Sequence, residues 1–264
     1  MIGVALICSE GGNPLGEVSQ GIVNGSRRVN GHLVAQNLAF HCPDDTFVKM
    51  EQWRIVRIAV TNAYRRKHLA SALLTFIEAT AMELGITLLT SSFGATPKLL
   101  SFWTHNHYLP LKLGFKRDAS SDEVSLVIGK PLTDLTASLL KTVQIQFSEE
   151  LTYHASRYHQ SMDTTLLTHL LTHSLPKELS SHTHQRVKQY LISNTPYMSF
   201  SQALAAYVLQ KLTCIECPSQ IPQESYILVA SLIQFKSTKA LVSEFKLSGK
   251  KELNTNIKNA VAII

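Results

Sequence analysis

The segment from Tyr64 to Ser71, YRRKHLAS, places three consecutive basic residues at the start of a helix. The first backbone N–H groups of a helix have no partner inside it, and the helix dipole adds partial positive charge there. Arg65, Arg66 and Lys67 add full charges at the same place. This combination predicts a diphosphate site made mainly of main-chain donors. The spacing alone fits a solvated first turn equally well, because short motifs give many false matches.

The segments on either side of this loop would hold it in place. WRIVRIAV (53–60) is β-branched and apolar over most of its length, which is typical of a buried strand. After the loop, apolar residues recur at three- and four-residue steps, which predicts one face of a helix: Ala70, Leu74, Ile77, Ala81 and Leu84. Gly85 is placed to end that helix, and ITLLTSSFG predicts a second strand.

Two sets of motifs in this chain resemble known families. RIAV, three further residues and then RRKHLAS resemble the acetyl-coenzyme A signature of the GNAT acetyltransferases, whose loop reads Gln/Arg-x-x-Gly-x-Gly/Ala. GHLVAQNLA, RIAV, SFGATPKLLSFW and RDASS, in that order, resemble the bacterial tRNA(Met) cytidine acetyltransferase family. That resemblance covers roughly residues 1–132, with a weaker likeness in the helical tail, and several ordered motifs are more specific than one loop.

The resemblance implies a reaction and a set of binding residues. Acetyl would pass from acetyl-coenzyme A to N4 of the wobble cytidine of elongator methionine tRNA, forming N4-acetylcytidine. Ile58, Ala59 and Val60 would line the acetyl and pantetheine arm, and a free N–H at the strand end could stabilise the oxyanion. The diphosphate would be held by Arg65, Arg66, Lys67, His68, Leu69, Ala70 and Ser71.

Two places in the motif differ from the family pattern. His68 stands where the loop usually has glycine, and Ala70 takes the second, more permissive glycine place. Histidine can still donate its N–H but adopts positive φ less readily. His105 and Lys98 occupy positions associated with coenzyme contact in the family, and His105 is kept as a cofactor-binding candidate.

The catalytic base stays unassigned at this point. The lone pair of a cytidine amine is delocalised into the ring, so some group must accept its proton during attack. His105, His107 and Tyr108 lie in the right segment, and nothing in the sequence chooses between them. A nucleophilic cysteine is disfavoured because Cys8 and Cys42 lack a patterned base nearby, which favours direct transfer.

Two other functions remain open. The chain could be a GNAT acetyltransferase acting on a protein or a small amine. It could also be a non-catalytic tRNA-binding remnant whose coenzyme loop has decayed, as His68 and Lys98 suggest.

The expected fold is α/β: a GNAT-like mixed sheet with flanking helices, N-terminally incomplete, followed by a mainly α-helical C-terminal domain. We expect the acetyltransferase domain in residues 1–132 and a tRNA-binding tail in 133–264, whose C-terminal lysines suit phosphate contacts. The strand near residues 2–8 should leave an open sheet edge. Among the longer helical stretches are 148–175 and 199–212, the latter capped by Ser199 or Ser201.

The family also carries an ATP-hydrolysing module upstream, with a GxxxxGK[ST] loop. No such loop occurs in this sequence, so ATP is not expected to bind this chain. A separate N-terminal ATPase half is therefore a possible partner.

Composition bounds the class of protein. The chain has 264 residues, 45% of them hydrophobic, and a mean hydropathy of +0.05, which fits a globular protein. No apolar run approaches the ~20 residues of a membrane span, and a signal peptide is not expected, so the predicted location is cytoplasmic. A net charge of +6 favours a polyanionic partner such as tRNA.

Metal binding is not expected. The CxxC pair Cys214 and Cys217 lacks two further ligands at suitable spacing. His169 and His173 stand four residues apart, but without a third ligand a plain helix face is the better interpretation. The aromatic residues Phe102 and Trp103 could stack on a base, although core packing is favoured.

Overall fold

The computed structural model describes residues 2–215 and 218–264, and it divides into two compact units. The first unit contains the residues up to Ala95 together with Phe102–Phe147, and the second contains Thr96–Ser101 and Ser148–Ile264. The functional division expected at residue 133 stays a prediction.

The first unit is built on a five-stranded mixed sheet with the order β1-β2-β3-β5-β4. Its strands are β1 (Gly3–Gly11), β2 (Glu51–Val60), β3 (Leu88–Gly94), β4 (Leu109–Arg117) and β5 (Val124–Pro131). Strands β2 and β3 run parallel, whereas the other neighbouring pairs are antiparallel. β1 pairs only with β2, so the expected open edge is present among the described residues.

Helices cover both faces of this sheet. They are α1 (Ser19–Val23), α2 (Leu33–His41), α3 (Thr46–Lys49), α4 (Leu69–Glu83), α5 (Pro97–His105) and α6 (Asp134–Ala155), and α5 and α6 each span the division between the units. One core joins α2 and α3 to α6 and to Leu88, Leu111 and Val127 of the sheet. Helix α4 turns Leu74, Ile77 and Ala81 inward and packs against β1 and β2.

A buried ion pair fixes α2 to the sheet. Glu10 of β1 is fully buried and pairs with Arg54 of β2. The other oxygen of its carboxylate accepts from the backbone N–H groups of Val34 and Ala35, at 2.8 and 3.0 Å. A carboxylate at a helix N-terminus satisfies otherwise unpaired donors and favours the helix dipole. Removing one partner of such a buried pair typically costs ~3–5 kcal/mol.

The second unit is helical. Besides its part of α6, it contains α7 (Thr164–Thr172), α8 (Ser181–Ile192), α9 (Ser201–Thr213), α10 (Glu224–Leu228), α11 (Thr238–Glu244) and α12 (Lys250–Ile263). A buried π-helical turn, Val229–Ile233, continues α10. No helix in the described part of the chain combines the length and apolar character that a membrane span requires.

Several local predictions were wrong. The stretch 148–175 is not one helix, because α6 ends at Ala155 and α7 starts after Asp163, whose carboxylate accepts from the N–H of Leu166. Neither Ser199 nor Ser201 caps α9, since a 3₁₀ turn (Tyr197–Phe200) runs directly into that helix.

Two apolar residues also lie differently from the helical pattern. Leu84 is 64% exposed because α4 ends one residue earlier and the chain turns at Gly85, where φ is +75°. In α5, Leu100 and Trp103 are buried, whereas the apolar residue Leu99 is 40% exposed.

We expect the second unit to lose stability in mild acid because of His173. Burial is the main cause that lowers the pKa of His173 to about 4, with His169 as the second cause. As pH falls, His173 takes up a proton in the unfolded chain before it does so in the folded protein. The stability that depends on neutral His173 is therefore fully present above pH ~6.5 and is lost as pH falls towards 4. At pH 5 the loss should be about 2 kcal/mol.

Denaturant unfolding followed by far-UV circular dichroism at pH 7 and pH 5 measures this loss. His173→Leu should reduce the difference between the two pH values, whereas His182→Leu, at an exposed histidine of α8, should leave it as in wild type. An equal pH dependence in wild type and His173→Leu would contradict the assignment.

Candidate functional site

Strands β2 and β3 separate before either of them ends. They pair only at three positions, the last of which joins Ile55 to Ser91. β2 then continues to Val60 and β3 to Gly94 without further pairing to each other. The main-chain groups on the facing edges of these two strand ends are therefore available to an extended ligand.

A β-bulge at Val56 accounts for the separation. On the β1 side, Leu6 pairs with Arg57 and Ile7 pairs with Ile55, so Val56 has no partner residue. A bulge bends its strand and increases the local twist. The hydroxyl of Ser91 donates to the carbonyl of Ile55 at 2.8 Å and closes the last paired position. The predicted arm-lining residues Ile58, Ala59 and Val60 follow directly on the separated part of β2.

The loop that follows β2 is anchored at its beginning. The N–H and the hydroxyl of Thr61 both donate to the carbonyl of Ile2, at 2.9 and 3.0 Å. The N–H of Tyr64 donates to the carbonyl of Thr61, and the Arg65 Nε donates to the carbonyl of Val60 at 3.2 Å. These bonds fold the chain back and bring the start of α4 to the end of β2.

Six consecutive main-chain donors at this place have no protein partner. Among the described residues, the N–H groups of Arg66, Lys67, His68, Leu69, Ala70 and Ser71 make no hydrogen bond, and the first bonded N–H is that of Ala72, to the carbonyl of His68. No side chain caps α4. Residues 61–69 are all exposed, so no packed side chains cover these donors. The structure therefore brings together the donors that the sequence predicted at this loop.

The three basic side chains of the loop differ in what they contact. Arg65 is tied to Val60, and the Lys67 Nζ lies 5.3 Å from the centre of the Tyr64 ring. Arg66 makes no hydrogen bond or ion pair with any described residue. Arg66 is therefore the charge best placed to bind an anion without breaking a protein contact.

His68 adopts the conformation that the family motif assigns to glycine. Its φ is +57° and its ψ is +10°, in the left-handed region, and Arg66 also has a positive φ of +59°. Positive φ is uncommon outside glycine and costs of order 1 kcal/mol. The loop keeps the geometry of the motif in spite of the substitution, which argues against a decayed loop.

The other predicted candidates are not brought to this loop by any described contact. His105, at the end of α5, is exposed, and among the described residues no hydrogen bond or ion pair links it to residues 65–71. Lys98 belongs to the second unit. Their coenzyme contacts stay predictions.

Tyr108 is poorly suited to act as a base. Its ring is buried between Trp103, 4.8 Å away, and the Nζ of Lys130, and its hydroxyl has no hydrogen-bond partner among the described residues. Burial, followed by the charge of Glu78, raises the pKa of Tyr108, so the hydroxyl stays protonated. β4 starts just after Tyr108, and its first residue, Leu109, pairs with Gly129 of β5. Tyr108 therefore lies beside the part of the sheet in which β2 and β3 are still paired.

Burial bears on the predicted roles of Trp103 and Cys8. Trp103 is 3% exposed and stacks on Phe93 at 5.9 Å, which confirms the core interpretation for this residue. Burial is the main cause that raises the pKa of Cys8, and its sulfur lies 3.9 Å from Glu10. Neither property favours nucleophilic attack by this thiol.

The described residues contain no group of three or more His, Cys, Asp or Glu side chains that could hold a metal ion. Of the CxxC pair, Cys214 is exposed and Cys217 lies outside the described residues.

Sequence reasoning missed one residue at the open end of the sheet. Glu123 immediately precedes β5, and its carboxylate lies over Gly94, the last residue of β3. The sequence signal is a glycine that ends one strand and an acidic residue just before its antiparallel neighbour, and only the register of β3 against β5 brings the two together.

Comparison with protein families supports the resemblance drawn from the motifs. Residues 15–97 match the family model described as acetyltransferase (GNAT) family. This match and the five-stranded mixed sheet confirm the predicted GNAT-like fold class.

Two curated relatives share one name. The chain is 30% identical over 241 residues to the tRNA(Met) cytidine acetyltransferase TmcA of Vibrio cholerae, covering 90% of this chain and 32% of that protein. It is 33% identical over 177 residues to the TmcA of Nitrosococcus halophilus, covering 67% of this chain and 24% of that protein. The chain therefore spans a third or less of the length of these two relatives.

Among solved structures, the chain is similar to a mosquito arylalkylamine N-acetyltransferase-like protein 5b. The identity is 15%, the TM-score is 0.36, and the match covers 50% of this chain and 68% of that one. A likeness at this level carries no argument about function.

We expect residue 68 to tolerate glycine and to reject a β-branched side chain. His68→Val should lower the free energy of unfolding by about 1–2 kcal/mol, because valine is disfavoured at positive φ. His68→Gly should stay within about 0.5 kcal/mol of wild type, since relief of strain offsets the added freedom of the unfolded chain. Lys67→Val, at a neighbouring exposed residue without positive φ, is the control. Denaturant midpoints measure all three, and equal losses for the two valine variants would contradict the argument.

Proposed function

This chain is a GNAT-fold relative of the tRNA(Met) cytidine acetyltransferases, and from that relationship we propose that it transfers acetyl from acetyl-coenzyme A to a tRNA cytidine. The acceptor is N4 of the wobble cytidine of elongator methionine tRNA, and the product is N4-acetylcytidine. The observation that carries the proposal is the run of six main-chain donors at the start of α4, next to the separated end of β2, for which the described part of the chain offers no partner.

The free amides of α4 suit the diphosphate of acetyl-coenzyme A, and the free edge of β2 suits its pantetheine arm. The amides of residues 66–71 bind the diphosphate, with Arg66 adding charge from solvent. The extended, amide-containing pantetheine arm runs along the free edge of β2 at Ile58, Ala59 and Val60, as an added strand would. A strand N–H at this edge stabilises the oxyanion that forms on the thioester carbonyl.

The tRNA partner is supported by an exposed aromatic group in the second unit. At the C-terminal end of α6, Tyr153 is 56% exposed and Tyr158 is 61% exposed. The guanidinium of Arg157 lies 3.9 Å from the centre of the Tyr153 ring, and the His154 ring lies within 5.4 Å of both tyrosine rings. Exposed aromatic faces beside arginine are the usual platform for unpaired RNA bases.

The proposal includes association with a separate ATP-hydrolysing module. The relatives are about three times as long as this chain, and an ATP-hydrolysing module is expected upstream in the family. We propose that such a module, not this chain, uses ATP, and that the open edge of β1 is available for association with it.

The proposed binding of acetyl-coenzyme A is tested by calorimetric titration. Arg66→Ala should weaken binding about 5- to 10-fold, because one charge beside the diphosphate is removed. S-acetylpantetheine, which lacks the diphosphate, should bind wild type and Arg66→Ala equally.

Arg28→Ala is the matched control, since it removes the same charge from the exposed loop between α1 and α2. The diphosphate site would be contradicted if Arg66→Ala bound acetyl-coenzyme A as tightly as wild type. It would also be contradicted if Arg66→Ala and Arg28→Ala weakened binding equally. Turnover itself is measured as N4-acetylcytidine formed in elongator methionine tRNA, and transfer to small amines without RNA would favour the alternative GNAT activity.

The RNA part is tested by fluorescence anisotropy with a labelled single-stranded RNA 12-mer. Tyr153→Ala should weaken binding about 5- to 30-fold, corresponding to ~1–2 kcal/mol of lost stacking. Tyr153→Phe should restore it, and binding to a duplex of the same sequence should not change.

Tyr153 is the informative position because Arg157 also has a structural role. The Arg157 Nη1 donates to the carbonyl of Tyr153 at 3.1 Å and caps the end of α6. If Tyr153→Phe bound single-stranded RNA as weakly as Tyr153→Ala, stacking would not be the cause of the loss.

A further inference from the structure

Glu123 holds its carboxylate over Gly94 at the end of β3. A Cβ built on Gly94 would lie 2.0 Å from the Glu123 Oε2 and 3.0 Å from both its Cβ and its Cδ. Any other residue at position 94 would therefore have to displace this side chain. Gly94 does not have a positive φ, so a side chain added here would disturb the position of Glu123 and not the backbone conformation.

The strand register places this carboxylate at the opening between β2 and β3. Gly94 pairs with Ser125 of β5 and lies three residues beyond Ser91, the last residue of β3 paired to β2. The same three steps from Ile55 along β2 reach Ile58. Glu123 therefore lies at the same open end of the sheet as the part of β2, beyond the bulge at Val56, that is proposed to hold the acetyl arm.

No structural role accounts for this side chain. Glu123 is half-buried, and among the described residues its carboxylate makes no hydrogen bond or ion pair. The neighbouring acidic residues of the same loop are engaged: Asp118 accepts from the N–H groups of Ser120 and Ser121, and Asp122 pairs with Arg117 at 2.8 Å. The N–H of Asp118 donates to the carbonyl of Glu123, so the loop that carries Glu123 is closed on itself.

We propose that Glu123 is the general base of the acetyl transfer, an inference that rests on the proposed function. The acceptor nitrogen forms a bond to the acetyl carbonyl carbon, and the carbon–sulfur bond of the thioester breaks. The nitrogen gives its proton to the Glu123 carboxylate, and the sulfur leaves with the bonding electron pair as the coenzyme thiolate. Glu123 then releases its proton to solvent.

The chemistry favours a carboxylate at this place. A cytidine amine loses its proton while the bond forms, and a side chain without a competing partner is free to accept that proton. Glu123 offers a carboxylate with no hydrogen bond or ion pair among the described residues, whereas Tyr108 is buried with its hydroxyl protonated.

Kinetics of Glu123→Gln with saturating tRNA and acetyl-coenzyme A test the proposal. Glu123→Gln should lower kcat about 100- to 1000-fold, the range expected for loss of a general base. Glu123→Asp should recover part of the activity. Acetyl-coenzyme A affinity, measured by calorimetry, should change by less than about twofold in both variants, because the base acts on the acceptor.

Gly94→Ala provides an independent variant that keeps the carboxylate and moves it. It should lower kcat about 10- to 100-fold and add little to Glu123→Gln in the double variant. Asp122→Asn is the matched control, because it removes a neighbouring carboxylate that is 80% exposed, and it should keep kcat within about twofold. Wild-type kcat in Glu123→Gln or in Gly94→Ala would overturn the proposal.

A measurement without turnover separates this proposal from the proposed function. A water-soluble carbodiimide with glycine amide labels accessible carboxylates, and mass spectrometry locates them. Acetyl-coenzyme A should lower labelling of Glu123 at least threefold and leave Asp122 unchanged. If calorimetry shows acetyl-coenzyme A bound and Glu123 is labelled equally with and without it, Glu123 does not face the donor and the proposal fails. If acetyl-coenzyme A does not bind at all, the proposed function fails first.

Discussion

The separation of β2 from β3 after a single bulge is the constraint on which the first unit depends. Without the extra residue at Val56, the two parallel strands could remain paired to their ends, and the sheet would have no opening. Because the strands separate, several main-chain groups on two facing edges have no partner from the opposite strand. Such groups are satisfied by water or by a ligand that offers amides in an extended conformation.

In the loop from Thr61 to Ser71, the main chain and the side chains contribute different properties. The six unpartnered N–H groups are fixed by the helix and by the bonds of Thr61 and Arg65 to neighbouring carbonyls, so they provide direction and spacing. The arginine and lysine charges are exposed, and solvent and salt screen them. Two residues at positive φ, Arg66 and His68, hold this arrangement at some cost in strain. Strain retained at a set of unpartnered donors is typical of a functional loop.

Each unit also contains a charged cluster that stabilises the fold, buried in the first unit and partly buried in the second. In the first, Glu10 joins β1, β2 and the start of α2. In the second, the ammonium of Lys236 bonds to Thr164 and Glu244, and Gln234 accepts from the Thr164 hydroxyl. The Gln234 amide also donates to the carbonyls of His159 and Met162. All these polar atoms find protein partners, so the clusters fix helices and leave no group for chemistry. Glu123 differs because its carboxylate has no such partner among the described residues.

The sequence by itself determined the order of elements around the loop. The strand ending at Val60, the helix that Gly85 follows and the Thr96-Pro97 start of α5 are local features, because β-branched runs, helical periodicity and capping residues act over a few neighbours. The basic loop and its free amides were predictable for the same reason. The pattern failed at the break between α6 and α7, since a polar stretch can continue a helix or end it.

Only the tertiary structure decided which residues face each other across the opening. The bulge at Val56 depends on the register against β1, and the contact of Glu123 with Gly94 depends on the register of β3 against β5. Register is set by pairing between segments distant in sequence, and no single stretch of chain encodes it. The burial of Tyr108 likewise follows from packing against Trp103 and Lys130, which its neighbours in sequence do not reveal.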